Sequence, residues 1–273
     1  MVRFWRLCRP VLLGLLLGYL AIVAIAMLLE DSLIYFPSPY PEGDWQPAGL
    51  NFEDAWFQSA DGTRLHGWYV VAANPRAVVL VCHGNAGNLS HRAPVAEILS
   101  RQVGASVLLF DYRGYGRSDG RPNEPGLVAD ARAARAWLAR RAGVAESDVV
   151  LMGRSVGGAV AVDLAAADGA RALVLEGTFT SLPDVAAYHY PWLPVRLALR
   201  TQFNSLKKIP AYHGPLLASH GDADTIVPYA LGRRLFEAAN EPKQFITLPG
   251  ADHNDPMDRE YYENLTAFLD GLP

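Results

Sequence analysis

The sequence has few cysteines and little charge, and each shortage excludes a class of protein. Its two cysteines, Cys8 and Cys82, are too few for a disulfide framework and lack the Cys-x-x-Cys spacing of a zinc site. Charged residues make up 19% of the 273 residues, and the net charge of −4 provides no basic surface for nucleic acid. We therefore expect no metal, no organic cofactor and no nucleic-acid partner.

Hydrophobic residues make up 51% of the chain, and many of them lie in one N-terminal run. Residues 11–29 carry no charge. At about 1.5 Å per residue this run is long enough to cross a hydrocarbon core about 30 Å thick. Charged residues flank the run on both sides, namely Arg3, Arg6, Arg9, Glu30 and Asp31. The positive-inside rule then predicts a single-pass transmembrane helix with residues 1–10 in the cytoplasm. The folded domain is expected across the membrane, in the periplasm if the source is bacterial.

Two other interpretations of this run stay open. Residues 24–26, Ala-Ile-Ala, fit the small-x-small site of a cleaved signal peptide, although the apolar run continues beyond them. A buried core helix is the second interpretation, although such a helix normally keeps a polar face.

The rest of the chain predicts one α/β domain at 51–273, preceded by a linker at 30–50 that contains prolines and glycines. Two predicted strands, 54–59 and 64–71, flank the hairpin signal Asp61-Gly62. After them, short runs of branched residues alternate with segments of helical spacing. Because such runs fit strands buried on both faces, we predict a mostly parallel sheet. The runs are 77–82, 106–110, 149–152, 172–175, 216–219 and 244–248, and helical segments include 93–102 and 125–141.

The pattern Gly-x-Ser-x-Gly occurs twice, around Ser118 and around Ser155. A nucleophilic serine in this pattern must lie on a strained turn that leads straight from a strand into a helix. Ser155 follows a predicted strand and precedes a small-residue helix, whereas Ser118 lies between two loop segments. We therefore predict Ser155 as the nucleophile and Ser118 as part of a glycine-rich connection.

A serine hydroxyl needs a base within hydrogen-bond reach and an acid that orients the base. His253 lies in a loop between the last predicted strand and the last helix, where it can reach back over the sheet. Two carboxylates, Asp222 and Asp224, follow the strand at 216–219, and the order Ser, Asp, His permits either. We choose Asp224 because residues 225–228 carry the chain away behind it, and we expect Asp222 to cap the turn.

The tetrahedral intermediate of acyl transfer needs backbone N–H donors around its oxyanion. One donor should be the N–H of Val156, directly after the nucleophile. The second should come from the glycine-rich loop at 83–87, and we assign it to Asn85. This loop lacks the lysine and Ser/Thr of a phosphate-binding Walker motif.

From about Leu33 to the C-terminus, the chain resembles the α/β-hydrolase superfamily, in particular its single-pass, membrane-anchored serine hydrolases. The segments that carry the resemblance are 83–87 (HGNAG), 111–116 (DYRGYG), 153–157 (GRSVG), 221–228 (GDADTIVP) and 252–254 (DHN). The resemblance implies an eight-stranded, mostly parallel sheet with helices on both faces. It also implies hydrolysis through an acyl-enzyme, carried by Ser155, Asp224 and His253.

The alternation of strands and helices pauses at about 178–214, where aromatic residues and prolines accumulate. On the α/β-hydrolase fold an insertion here would form a small lid over the nucleophile. An apolar lid would suit an acyl chain, with Phe179, Tyr188 and Trp192 as substrate-binding residues, although packing of these aromatics against the domain is an equal alternative.

These observations favour a serine hydrolase that cleaves carboxylic ester, lipid ester or thioester bonds of a small-molecule or lipid acyl substrate. A serine peptidase with the same triad is the enzymatic alternative. The third alternative is a non-catalytic relative that uses the lid and the anchor to bind a partner.

Overall fold

The structure, a computed structural model, describes residues 2–272, and side chains are described from Pro10 onwards. The predicted cytoplasmic segment, residues 1–10, therefore lies largely outside the described side chains, as do Cys8 and the three arginines of the orientation prediction. The N-terminal orientation stays a prediction.

Eight strands form one sheet in the folded domain. They are β1 (Glu53–Gln58), β2 (Arg64–Val70), β3 (Val78–Cys82), β4 (Ser106–Phe110), β5 (Val149–Arg154), β6 (Ala172–Glu176), β7 (Leu216–Gly221) and β8 (Lys243–Leu248). Their spatial order is β8-β7-β6-β5-β3-β4-β2-β1. Strand β2 is antiparallel to β1 and β4, and the other neighbours pair in parallel.

Strand β3 shows why the branched runs form the centre of the sheet. Val78, Leu80 and Cys82 pack into the core on one face, while Val79 and Val81 pack into the core on the other. Both sets are buried, because successive side chains of a strand point to opposite faces and helices cover both. The mostly parallel α/β prediction is confirmed, and so is the hairpin at Asp61-Gly62 that joins β1 to β2.

Ten α-helices are described: α1 (Val2–Leu28), α2 (Glu30–Ile34), α3 (Ala93–Ile98), α4 (Glu124–Ala142), α5 (Val156–Asp168), α6 (Leu182–His189), α7 (Val195–Ala198), α8 (Ser205–Lys208), α9 (Tyr229–Glu237) and α10 (Arg259–Asp270). Helices α4, α5 and α9 contribute side chains to the core on one face of the sheet, and α3 and α10 to the core on the other. Helices α6, α7 and α8 lie in the insertion at 178–214, which we call the lid.

The N-terminal part of the chain contains the predicted apolar helix and a segment that is fastened to the domain. Helix α1 contains a 19-residue apolar segment, Pro10–Leu28, that is long and apolar enough to cross a membrane and is not buried against the described domain. The predicted linker at 30–50 begins with α2 instead of irregular chain. Residues Phe36–Pro37 then pair in parallel with Ala86–Gly87, which fastens this segment to the loop after β3.

Candidate active site

Ser155 lies on a strained turn between β5 and α5. Its φ of 55° and ψ of −121° are unusual for any residue with a side chain. The glycines on either side permit the close approach that the turn requires. A Cβ on Gly153 would lie 2.3 Å from the carbonyl oxygen of Gly157, and a Cβ on Gly157 would lie 2.0 Å from that of Cys82. Such contacts have the geometry of a nucleophile elbow.

Ser118, the serine of the second Gly-x-Ser-x-Gly pattern, has a different environment. Its buried hydroxyl donates a 2.7 Å hydrogen bond to the carbonyl oxygen of Asp111 and accepts one of 3.0 Å from the N–H of His66. The first contact lies within the loop after β4 and the second reaches His66 of β2, so the hydroxyl of Ser118 holds this loop against β2.

His253 and Asp224 come together on loops at the carboxyl ends of β8 and β7. The distance from His253 Nδ1 to Asp224 Oδ2 is 2.7 Å. Asp222, the alternative acid, is exposed and accepts a 2.6 Å hydrogen bond from the N–H of Gly250. The geometry therefore pairs the histidine with Asp224 and gives Asp222 a turn-forming contact.

The carboxylate of Asp224 has an unusually large set of donors. Oδ1 accepts hydrogen bonds from the N–H groups of Ile226 (2.9 Å) and Val227 (2.7 Å). His220 Nε2 lies 3.1 Å from Oδ2. Burial opposes ionisation, but the hydrogen bonds from His220, His253 and Val227 outweigh it and hold the pKa of Asp224 well below its ordinary value. The carboxylate is thus ionised throughout the neutral range.

Sequence reasoning missed the residues that hold the histidine loop. The Arg154 guanidinium donates to the carbonyl oxygens of His253 and Asp255, the latter at 2.9 Å. Asp252 Oδ1 accepts from the N–H of His253 at 2.7 Å and from the N–H of Thr225 at 2.7 Å. Arg154 directly precedes the elbow serine, so this contact links the elbow to the histidine loop.

The backbone N–H groups of Asn85 and Val156 are available as donors, since neither has an acceptor among the described residues. The loop that carries Asn85 is fixed on several sides. Asn85 Nδ2 donates to the carbonyl oxygen of Ile34 (2.7 Å), and the Asn85 carbonyl accepts from the Tyr115 hydroxyl (2.7 Å) and from the N–H of Phe36 (2.9 Å). The N-terminal segment thus helps to position this loop.

A cavity of about 480 Å³ opens beside Ser155, and we call it the Ser155 cavity. Ser155, Asn85 and Val156 line it, together with mostly apolar side chains of the lid and of the end of α1. Phe179 and Trp192 line it as well, whereas Tyr188 is 65% exposed and is not among the lining residues. Of the predicted substrate-binding residues, the structure therefore brings two to the cavity and leaves Tyr188 outside.

The predicted catalytic residues are assembled incompletely. His253 pairs with Asp224, but within the described part of the chain no hydrogen bond joins the Ser155 hydroxyl to His253. Catalytic hydrogen bonds are often long without substrate and shorten when it binds. No three His, Cys, Asp or Glu side chains of the described residues lie close enough together to hold a metal ion.

Most of the chain aligns with known proteins. Residues 73–201 match the sequence profile of the family described as serine aminopeptidase, S33. An uncharacterised protein of Mycobacterium tuberculosis is 46% identical over 232 residues, which cover 83% of this chain and 81% of the relative. The alpha/beta hydrolase domain-containing protein WAV2 of Arabidopsis thaliana is 33% identical, with 85% of this chain and 84% of the relative covered.

A solved structure, the esterase PF2001 of Pyrococcus furiosus, superposes with a TM-score of 0.72 at 21% sequence identity. The alignment covers 88% of this chain and 98% of the esterase. This likeness is one of fold, since the identity is low.

Proposed function

Because this chain is a hydrolase of the α/β-hydrolase superfamily, we propose that it is a serine hydrolase that cleaves carboxylic ester or other acyl bonds through an acyl-enzyme. Ser155 is the nucleophile, His253 the general base and Asp224 the acid that orients the histidine. The observation that carries the proposal is the strained backbone of Ser155 at an apolar cavity, with the Asp224–His253 pair on neighbouring loops.

In the acylation step the Ser155 hydroxyl oxygen attacks the acyl carbonyl carbon, and its proton passes to His253 Nε2. Asp224 accepts the hydrogen bond from Nδ1 of His253, which fixes the tautomer that leaves Nε2 free and stabilises the imidazolium. The leaving alcohol then takes the proton from Nε2 as its bond to carbon breaks. Ser155 is left esterified.

Deacylation repeats these steps with water. His253 removes a proton from water, the hydroxide adds to the acyl carbon, and Ser155 recovers its proton as the carboxylic acid departs. In both steps the N–H groups of Asn85 and Val156 bind the oxyanion. Each such donor contributes about 3–4 kcal/mol to stabilising the transition state.

A serine peptidase is the second candidate, favoured by the serine aminopeptidase description of the family that matches residues 73–201. The same triad and oxyanion donors serve amide hydrolysis, where the leaving amine takes the proton from His253. Rates on matched ester and amide substrates with the same acyl group discriminate the two functions, and a preference for the amide would replace esterase with peptidase.

The membrane part of the proposal is that α1 is a single-pass anchor with its N-terminus in the cytoplasm and the domain on the other side. The apolar side chains of Pro10–Leu28 support it, because they are not buried by the described domain and need another apolar environment. Resistance of the full chain to alkaline extraction from membranes tests retention. Release of a soluble protein that begins at Met27 would instead establish a cleaved signal peptide.

Labelling with a fluorophosphonate probe tests the catalytic proposal. The native chain and the Ser118→Ala variant should label, and Ser155→Ala should not. Ser118→Ala is the matched control, because it removes the same hydroxyl from the second Gly-x-Ser-x-Gly pattern. Full-strength labelling of Ser155→Ala would refute the assignment of the nucleophile.

A further inference from the structure

One wall of the Ser155 cavity is formed by the helix that is long and apolar enough to cross a membrane. Val23, Ala26 and Met27 of α1 line the cavity together with Leu33 and Ile34. Lid residues form the facing wall, and Ser155 also lines the cavity. Because Ala26 and Ser155 border the same space, a substrate that fills the cavity from the nucleophile outwards also contacts α1.

Glu30, the first residue of α2, fastens the segment that directly follows α1 to the lid. Its side chain is buried, and its Oε1 accepts hydrogen bonds from the N–H groups of Thr201 (2.7 Å) and Arg200 (3.1 Å). The Arg200 guanidinium lies 3.3 Å from Oε2. Since a buried carboxylate is costly unless it is paired and hydrogen-bonded, this contact fixes the lid to α2, next to the end of α1. Helix α1 is therefore part of the site as well as a tether.

The lid also contacts α1 farther towards its N-terminus. The Tyr19 hydroxyl donates a 3.0 Å hydrogen bond to the carbonyl oxygen of Trp192. Tyr19 precedes the last residue of α1, Leu28, by about 14 Å at the rise of an α-helix. Trp192 of the lid thus lies beside the apolar part of α1. Where water is absent, a backbone carbonyl needs a hydrogen-bond donor from the protein, and Tyr19 supplies one to Trp192.

Several large apolar and aromatic side chains of the lid are exposed. Leu197 is 90% exposed and Trp192 is 57% exposed, and Tyr188 and Tyr190 are also exposed. Trp and Tyr are enriched where proteins meet the membrane–water interface. These side chains belong to the same lid that contacts Tyr19 of α1. This part of the lid therefore suits contact with a lipid bilayer.

The wall of the cavity offers little to a charged or peptide-like substrate. Among the described lining residues Glu30 is the only carboxylate, and the lid backbone already occupies it. His189 lines the cavity but directs Nε2 to the carbonyl oxygen of Ile226, at 2.8 Å. An acyl chain needs no polar partners and gains from burial against such a wall.

We propose that the Ser155 cavity holds the acyl chain of a membrane lipid, which enters sideways from the bilayer between α1 and the lid. The proposal rests on the proposed function, because it takes Ser155 as the residue that attacks the carbonyl of the bound lipid ester. Its products are a fatty acid and the deacylated lipid, with water supplying the hydroxyl and the proton.

The test uses the full chain in phosphatidylcholine vesicles and two substrates, a fluorogenic long-chain glycerolipid ester in the bilayer and soluble p-nitrophenyl acetate. Ala26→Trp fills the cavity from its α1 wall. Ala24→Trp is the matched control, since Ala24 lies on the same helix, is exposed and does not line the cavity.

Ala26→Trp is expected to slow hydrolysis of the bilayer lipid by about tenfold or more relative to acetate hydrolysis and fluorophosphonate labelling, because a long acyl chain needs the space that the indole fills and acetate needs little of it. Ala24→Trp should leave all three unchanged. Unchanged lipid hydrolysis in Ala26→Trp, an equal loss in both tryptophan variants, or an equal loss of acetate and lipid hydrolysis would overturn the lipid pocket. Failure of the native chain to label at Ser155 would instead overturn the proposed function.

Discussion

His220 and His253 approach the same oxygen of Asp224, His220 Nε2 at 3.1 Å and His253 Nδ1 at 2.7 Å. His220 Nε2 also lies 2.9 Å from the carbonyl oxygen of Val227, so its proton is shared between that carbonyl and the carboxylate. His220, which lies in β7, therefore holds the Asp224 carboxylate while that carboxylate orients His253. The low pKa of Asp224 follows from these contacts and from the N–H of Val227.

Replacement of the acid distinguishes the two carboxylates of this loop. Asp224→Asn should lower kcat on p-nitrophenyl acetate by about 10³- to 10⁴-fold, because an amide no longer selects the tautomer with Nε2 free. Asp222→Asn is the control and should retain kcat within severalfold, since the exposed Asp222 carboxylate accepts from the N–H of Gly250 in a turn. Comparable losses in the two variants would mean that Asp224 has no special role.

Ser155→Gly should stabilise the protein while abolishing its labelling. Serine at φ 55° and ψ −121° carries backbone strain that glycine does not. We expect the free energy of unfolding to rise by about 1 kcal/mol, the net of strain relieved and the greater chain entropy of glycine. Urea denaturation measures it, with Ser155→Ala as the comparison that removes the hydroxyl but keeps the strain. Equal free energies of unfolding for Ser155→Gly and Ser155→Ala would show that the backbone at residue 155 is not strained.

Ser118→Ala should show the opposite combination. Its hydroxyl satisfies the N–H of His66 and the carbonyl of Asp111 in the interior, and its removal leaves both groups without this partner. The expected loss is about 1–3 kcal/mol of unfolding free energy with kcat nearly unchanged. A large loss of kcat in a folded Ser118→Ala variant would argue for a catalytic role of this serine.

Glu30→Ala should loosen the lid, because the N–H groups of Arg200 and Thr201 lose their buried acceptor. Limited proteolysis of the full chain should then cut within 178–214 faster than in the native protein. Asp31→Ala is the matched control, since Asp31 is the neighbouring carboxylate and is exposed. Equal cleavage of the native and Glu30→Ala proteins would show that this contact does not hold the lid.

Asp111→Asn should change how stability depends on pH. Burial raises the pKa of Asp111 to about 8, whereas an unfolded aspartate titrates near about 3.9. Between these values the folded state binds the extra proton, so the native chain loses stability as pH rises from about 4 to 8. Asn keeps the oxygen that accepts from the N–H of Leu89 and does not titrate. Melting temperatures at pH 5 and pH 8 should therefore converge in the variant, and an unaltered difference would contradict this pKa.

Much of the fold could be predicted from the sequence because its signals are local. The branched runs became β3 to β8, and Asp61-Gly62 became the hairpin between β1 and β2. The glycines around Ser155 likewise predicted a close approach of strand and helix, and a Cβ at Gly157 would indeed meet the backbone of Cys82. Each signal depends on neighbouring residues and on a period of two or a turn preference.

The tertiary structure decided what depends on residues far apart in the chain. The partner of Glu30 lies 171 residues away at Thr201, so α2 looked like a linker until its carboxylate was seen against the lid. Tyr188 and Trp192 are equally aromatic in the sequence, but only Trp192 lines the cavity. Arg154 and His220 gave no signal of their support for His253 and Asp224.

The sequence by itself determined the α/β class, an apolar N-terminal segment and a short set of candidates for nucleophile, base and acid, because these follow from local composition and spacing. Only the packed chain decided which carboxylate meets His253 and which serine hydroxyl is already committed to structure. It also decided that the apolar helix borders the Ser155 cavity. Side-chain direction and long-range contact are properties of the fold as a whole, so no local pattern specifies them.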